Sequence, residues 1–253
     1  MGNLYLIATP IGNLEDISIR AINTLLTVDY IACEDTRRTG QLLEAIKNKF
    51  TFMVQFMKVN DPKFISFYDE IEEKRVPEII ALLAQDKNIA LVSDSGTPLI
   101  CDPGFKLVKE CLKRGIKIIS LPGPSSVITA LTSSGLPTNN FLFLGYLPNK
   151  SSKRIKLFES LKALRHLGGG PDSIGNSPDS GGSRINPTII FFESPHRLKE
   201  SLQDLQEVFG DIDVVITREL TKLHEEIFRG KISETLIHFK EIKGEIVLLF
   251  SFF

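Results

Sequence analysis

Only three cysteines occur in 253 residues, Cys33, Cys101 and Cys111, and no two of them have CxxC spacing. So small and odd a set supports neither a disulfide framework nor a zinc knuckle, and it points to a reducing compartment. An excess of one charge is missing too: 30 basic against 31 acidic side chains leave a net charge of −1. A uniform cationic coat for nucleic acid is thereby excluded, and any such binding needs a local patch. No apolar run approaches the roughly 18–20 residues that span a bilayer, and Met1-Gly2-Asn3-Leu4-Tyr5 lacks the basic region of a signal peptide. A cytoplasmic protein without a membrane segment is expected. The four histidines, His166, His196, His224 and His238, include no i, i+4 pair, so no metal is expected. Neither G-x-G-x-x-G nor G-x-x-x-x-G-K-[ST] nor G-x-S-x-G appears, which removes support for dinucleotide binding, triphosphate binding and hydrolase chemistry.

What is present is the balance of a globular protein, 42% hydrophobic and 24% charged. At about 150 residues per domain the length fits one large or two modest domains. Short apolar runs end repeatedly in small and polar residues: Leu4–Ala8, Asp29–Cys33, Asn88–Val92 and Ile116–Ser120 read as buried strands. Helical spacing follows from Asp16, a plausible cap, to Leu26, from about Thr36 to Ile46, and from about Gly104 to Lys113. This alternation predicts a first α/β domain, residues 1–121, with a mainly parallel sheet. Beyond a boundary near Pro122–Pro137, strand-like runs at 141–145, 188–192, 214–217 and 245–250 have some short connections. They predict a second α/β domain, 122–253, with a mixed or largely antiparallel sheet. Thirteen of the twenty positions 168–187 are Gly, Pro or Ser, the composition of a flexible surface insertion.

Three strand ends share a grammar: Thr9-Pro10-Ile11-Gly12-Asn13, Ser93-Asp94-Ser95-Gly96-Thr97-Pro98 and Leu121-Pro122-Gly123-Pro124-Ser125-Ser126. Small residues let backbone approach a ligand, prolines fix the turn, and ligands of open α/β sheets bind outside the carboxyl ends of strands. Each turn alone is also ordinary punctuation; together they outline a crevice for a polar organic ligand. Asp94 is suited to accept hydrogen bonds from ligand hydroxyls or an amine, or to cap a turn. Glu34-Asp35-Thr36-Arg37-Arg38 either binds substrate or caps the next helix through Asp35 or Thr36. His196, at a strand-to-helix junction, is a further candidate. Between Leu147 and His166, six cations, Lys150, Lys153, Arg154, Lys156, Lys162 and Arg165, face one acid, Glu159, for a local charge of +5. Such a stretch suits phosphate contacts or a solvated helix face. The charged run Arg218–Glu226 reads either as a functional loop presenting Glu219, Lys222 or Glu225, or as a salt-bridged hairpin.

The motifs Leu4–Leu14, Cys33-Glu34-Asp35-Thr36-Arg37, Ser93–Gly104 and Leu121–Ser125 occur in order, followed by Phe192-Glu193-Ser194-Pro195-His196-Arg197, Arg218-Glu219-Leu220-Thr221-Lys222 and Lys243-Gly244-Glu245. In this set the chain resembles the small-subunit ribosomal RNA methyltransferases of the tetrapyrrole-methylase-like (class III) family over nearly its whole length. The resemblance implies a homodimer of two α/β domains, with S-adenosylmethionine folded into the cleft between them. It also implies 2′-O-methylation of a cytidine ribose in the decoding region of 16S rRNA, on naked RNA or the 30S subunit. Ile11, Asp94, Thr97, Ser125, Ser126, Ile246 and Val247 are then expected to bind the cofactor. Arg37, Lys150, Lys153 and Arg154 are expected to bind substrate, and Lys222, neutralised by burial, or Glu219 to accept the hydroxyl proton. The alternatives are a class III methylase acting on a tetrapyrrole or other small molecule, and a non-catalytic S-adenosylmethionine-binding module. The chain departs from the family at Phe67–Glu73, where relatives carry a His- and Asn-containing segment, and in the length of 168–187. It also ends at Phe253, where many relatives continue into a helical extension; weaker or different RNA binding is expected if that extension grips RNA.

Overall fold

A computed structural model describes residues 1–56, 59–166, 187–239 and 241–251, with 164–166 described by backbone alone. The insertion expected at 168–187 lies outside the described residues except for Pro187. The chain divides into two compact units, Met1–Ser125 and Ser126–Phe253.

The first unit contains β1 (Leu4–Ile7), α1 (Ile19–Thr27), β2 (Tyr30–Cys33), α2 (Thr36–Lys49), α3 (Thr51–Val54), β3 (Lys63–Ser66), α4 (Glu72–Ala84), β4 (Ile89–Leu91), α5 (Phe105–Lys113) and β5 (Ile118–Leu121). Its five strands are all parallel, in the order β3-β2-β4-β1-β5. Alternation of side chains assigns each strand residue to one of two cores. Ile7, Ile31, Cys33, Ala90 and Val92 face α1 and α2. Leu4, Ala32, Ile89 and Leu91 face α4 and α5. Both faces are covered, which is why these strands read as continuous apolar runs rather than alternating ones.

Helix α1 begins two residues later than expected. Asp16 sits in a short 3₁₀ turn, and Ser18 is the cap, its hydroxyl accepting from the Ala21 N–H. Asp35 caps α2 by accepting from the Arg37 N–H, one of the two roles expected of it. The exposed edge strand β3 and α4, which carries Pro77 inside it, have no counterpart among the expected elements. From β1 the chain crosses β4 to reach β2; from β4 it crosses β1 to reach β5. With right-handed crossovers, opposite directions of travel put the connections on opposite faces. A crevice therefore opens where the carboxyl ends of β1 and β4 lie side by side.

The second unit runs α6 (Ser126–Ser134), β6 (Phe141–Tyr146), α7 (Ser151–His166), β7 (Thr188–Glu193), α8 (Leu198–Phe209), β8 (Asp213–Arg218), β9 (Glu226–Lys231), α9 (Ile232–His238) and β10 (Ile246–Phe250). Its sheet has the order β6-β7-β10-β8-β9; β6 and β7 are parallel and the other pairs antiparallel. The mixed sheet matches expectation but the cause does not. Among the described elements, only β8 and β9 are joined by a short connection without a helix. A core of Phe158, Phe191, Leu202, Leu205, Ile216 and Leu248 lies under α7, α8 and α9, while α6 packs on β8, β9 and β10. The carboxyl ends of β6, β7 and β8 and the start of β10 share one rim, since Ile246 is in register with both Glu193 and Arg218.

Candidate functional site

In the first unit the turns leaving β1 and β4 are tied together. Thr9 N–H donates to the Gly96 carbonyl at 2.8 Å and Gly96 N–H to the Thr9 carbonyl at 3.1 Å, a two-bond bridge just beyond the sheet. Gly96 has φ +83°, a conformation that side chains rarely adopt, and a Cβ there would stand 3.2 Å from Ile11 Cγ2. Leu99 and Cys101 also take positive φ values in the same loop, 72° and 65°. Such strain concentrates where a loop is shaped for a task. The β5 turn joins in through Thr97, whose hydroxyl donates to the Pro124 carbonyl at 3.0 Å.

Carboxylates rim this crevice. Asp94 Oδ1 accepts from the Asp35 N–H at 3.2 Å and Oδ2 pairs with Arg38 at 3.1 Å, while the Asp94 N–H donates to Glu34 Oε1 at 3.3 Å. Burial, reinforced by the charges of Asp94 and Asp69, raises the Glu34 carboxyl above its ordinary range despite that hydrogen bond. Asp102 is pushed up to about 7 by burial and then by the Glu34 charge. Mutually repelling acids on the ends of β2, β3 and β4 favour a ligand that carries positive charge and hydroxyl groups. Asp69 and Asp102 were not among the expected site residues, and Glu34 was expected only as part of the charged segment Glu34–Arg38, without a role at this crevice. The signal available was positional: Glu34 directly follows β2, and Asp69 and Asp102 lie in the turns after β3 and β4.

On the rim of the second unit, the loop after β8 holds a second polar cluster. Glu219 and Thr221 have positive φ, 51° and 66°. Glu219 Oε1 takes the Glu245 N–H at 2.9 Å and Lys222 Nζ at 2.9 Å, and Lys222 reaches Glu245 at 3.3 Å. Gly244, φ +96°, makes room for this: a Cβ there would meet the Glu219 carboxyl at 2.5 Å. Burial alone would raise the Glu219 pKa, but the Glu245 N–H and Lys222 outweigh it and hold the carboxylate below its ordinary range. Burial would likewise lower Lys222, but Glu219 and Glu245 outweigh it and raise the ammonium.

Residues 3–236 match the family model described as Tetrapyrrole (Corrin/Porphyrin) Methylases. The chain belongs to the tetrapyrrole methylase family. A relative from Thermotoga maritima, named ribosomal RNA small subunit methyltransferase I, is 44% identical over 253 residues, 99% of each chain. One of the same name from Bacillus subtilis is 39% identical, over 98% of this chain and 75% of its own. Among solved structures, a uroporphyrin-III-C-methyltransferase from Thermus thermophilus aligns with TM-score 0.61 at 16% identity, covering 98% of this chain and 94% of its own. A diphthine synthase aligns with TM-score 0.67 at 13% identity, covering 98% and 89%. At those identities the structures share the fold alone.

Of the residues expected to serve in this tetrapyrrole methylase family member, Ile11, Asp94 and Thr97 converge on the first unit's crevice, with Ser125 directly after Pro124. Ser126 opens α6, and Ile246 and Val247 begin β10. Arg37 is exposed and chelated by its own helix cap, with Nη2 2.9 Å from Asp35. Lys150 and Lys153 are exposed at the start of α7. Arg154 is not: its side chain is 1% exposed, with Nε 2.6 Å from Asp204 and Nη1 on the Pro148 and Asn149 carbonyls. A helix period of 3.6 turns it inward from Lys153, so the phosphate contact expected of it is replaced by a structural ion pair. The neutral Lys222 expected from burial is likewise corrected, because two carboxylates flank the ammonium and keep it charged.

Proposed function

We infer that this protein transfers a methyl group from S-adenosylmethionine to the 2′-oxygen of a cytidine ribose in the decoding region of small-subunit ribosomal RNA. The observation carrying this reading is the 44% identity, over 99% of both chains, to a protein named ribosomal RNA small subunit methyltransferase I. The donor set of the first unit suits the cofactor. A sulfonium cation with ribose hydroxyls and an ammonium group complements a crevice lined by Asp94, Glu34 and Asp102. Asp94 and Glu34 would accept hydrogen bonds, while Ile11, Thr97 and Ser125 would wall the site. Ser126, Ile246 and Val247 are assigned to the cofactor from the family resemblance alone. S-adenosylmethionine supplies a methyl group already activated on sulfur, so the protein's tasks are alignment, exclusion of water and removal of one proton.

Glu219 suits the last task better than Lys222. It is a carboxylate held ionised, and its Oε can take the ribose hydroxyl proton as the oxygen is methylated. Lys222, charged and bonded to Glu219, orients that carboxylate. A homodimer working in the cytoplasm is the assembly the resemblance implies; among the described residues no helix is long and apolar enough to cross a membrane. The tetrapyrrole alternative has the family description and the shared fold behind it but no relative of comparable identity, and the binding-module alternative has the shared fold alone.

The test is a map of ribose methylation in small-subunit RNA from cells lacking the gene. Loss of one 2′-O-methylcytidine, restored by the wild-type chain and not by Glu219→Gln, is expected. An unchanged map refutes the reading.

A further inference from the structure

A groove of about 390 Å³ opens in the second unit between α8, α9 and the segment leading into β10. Its floor is apolar: Leu198 and Leu202 from α8, Leu236 from α9, then Phe239 and Ile242. Its rim is polar and carries more positive than negative groups, with Lys199 and Lys243 against a single acid, Glu241, and His196 beside them. Lys199 and Lys243 are exposed, and among the described residues neither ammonium has a hydrogen-bond or ion-pair partner. The arginines nearby are already engaged: Arg197 pairs with buried Glu193 at 2.7 Å and Arg154 with Asp204. The unpaired lysines are therefore the charges left for a ligand.

One edge of the groove is joined through the chain to the polar cluster described above. Lys243 on its rim is two residues from Glu245, whose N–H holds Glu219 and whose carboxylate holds Lys222. At most about 7 Å of chain separates those two Cα atoms. Arg197, beside His196, hydrogen-bonds the Leu147 carbonyl and the Asn149 side chain, and exposed Lys150 directly follows Asn149 in the chain. An apolar floor with unpaired cations on its rim is a pattern that holds a single strand, with bases against carbon and phosphates against ammonium.

We propose that this α8–α9 groove binds a single-stranded segment of the RNA substrate next to the nucleotide to be methylated, with Lys199 and Lys243 on successive phosphates and a base over Phe239 and Leu236. The proposal rests on the reading of the substrate as RNA. An acidic peptide is the competing occupant, but it would leave the apolar floor without flat partners.

The test measures binding of the full chain to a 12-nucleotide unstructured RNA across a salt series, by fluorescence anisotropy, for wild type and K199A/K243A. Removal of two phosphate contacts from a single strand is expected to reduce the slope of log K against log salt by about 1.4 and to weaken binding by about tenfold or more at low salt. A 4-thiouridine version of the oligonucleotide is expected to crosslink within 195–202 or 236–243. K199R/K243R keeps the charges and is expected to bind as wild type does. Unchanged affinity and slope in K199A/K243A overturns the proposal, as do crosslinks confined to other segments, or displacement of the RNA by a polyglutamate peptide without any crosslink in the groove. Methyl transfer to unmodified small subunits reads the function separately. If wild type transfers methyl and K199A/K243A does so with unchanged KM, the groove is refuted and the function stands. If wild type transfers none yet the binding and crosslinking results hold, the function is refuted and the groove stands.

Discussion

Replacing Arg154 by alanine separates two roles that its sequence position leaves open. Its guanidinium, 1% exposed, serves Asp204 at 2.6 Å, the carbonyls of Pro148 and Asn149 at 3.1 and 3.0 Å, and Glu200 at 3.6 Å. Asp204 is itself largely buried and, among the described residues, has only Ser151 as a further side-chain hydrogen-bond partner, at 2.8 Å. Truncation therefore leaves a carboxylate in low dielectric and two carbonyls without donors. Breaking one side of a buried pair costs about 3–5 kcal/mol. At about 2–4 °C per kcal/mol for a chain of this size, the melting temperature should fall by roughly 6–20 °C. Arg154→Lys keeps the charge but cannot reproduce the fork that reaches carboxylate and carbonyls at once, so it should recover only part of the loss. Arg154→Met combined with Asp204→Leu removes both charges and should melt much closer to wild type than Arg154→Ala does. Circular dichroism melts measure all three, and the RNA salt series measures the rival role. An Arg154→Ala protein that melts like wild type, but whose salt slope drops by about 0.7, the value of one phosphate contact, would refute the structural assignment.

Three further outcomes follow from the two polar clusters. Asp94→Asn, which keeps the shape and removes the charge, should weaken S-adenosylmethionine binding by about 1–3 kcal/mol in calorimetry; an unchanged Kd removes Asp94 from the site. Gly244→Ala drives a methyl group into the Glu219 carboxyl at a φ of +96°. It should cut methyl transfer to small subunits about as far as Glu219→Gln does, and activity at the wild-type level would show that Glu219 placement does not matter. Asp102 has a folded pKa of about 7, raised above its ordinary 3.8 mainly by burial. Its contribution to stability is complete below about pH 4 and is lost as the pH rises to about 7, where the folded protein must also ionise the group. Asp102→Asn should therefore flatten the decline in denaturation midpoint across that window, and an identical pH profile counts against the buried, proton-retaining carboxyl.

The parallel half of the fold was legible because both of its faces are covered, which writes each central strand as an unbroken apolar run. Edge strand β3, Lys-Phe-Ile-Ser, lacks that run since only one of its four residues is buried. Strand β9, Glu226–Lys231, is amphipathic with charges at both ends, and what makes it a strand is its antiparallel register on β8, a partner choice that local composition does not encode. At the candidate site, the turns after β1, β4 and β5 were readable because glycine and proline mark backbone conformation directly. Arg154 was misread for the opposite reason. A cation in a basic stretch looks like its neighbours until a residue fifty positions away, Asp204, supplies the partner that draws it inside. Lys222 follows the same rule: burial was anticipated, but the two carboxylates that outweigh it come from β10's approach and from the far side of a strained turn.

The pair of backbone bonds joining Thr9 to Gly96 has a kinetic meaning. Neither turn can swing out alone without giving up both bonds, so the floor of the crevice behaves as one plate that is set before any ligand arrives. A guest pays nothing to organise that floor, and little of its binding energy is diverted into taming loops. The amide hydrogens of Thr9 and Gly96 should then exchange with solvent on the timescale of sheet opening, far more slowly than turn amides ordinarily do.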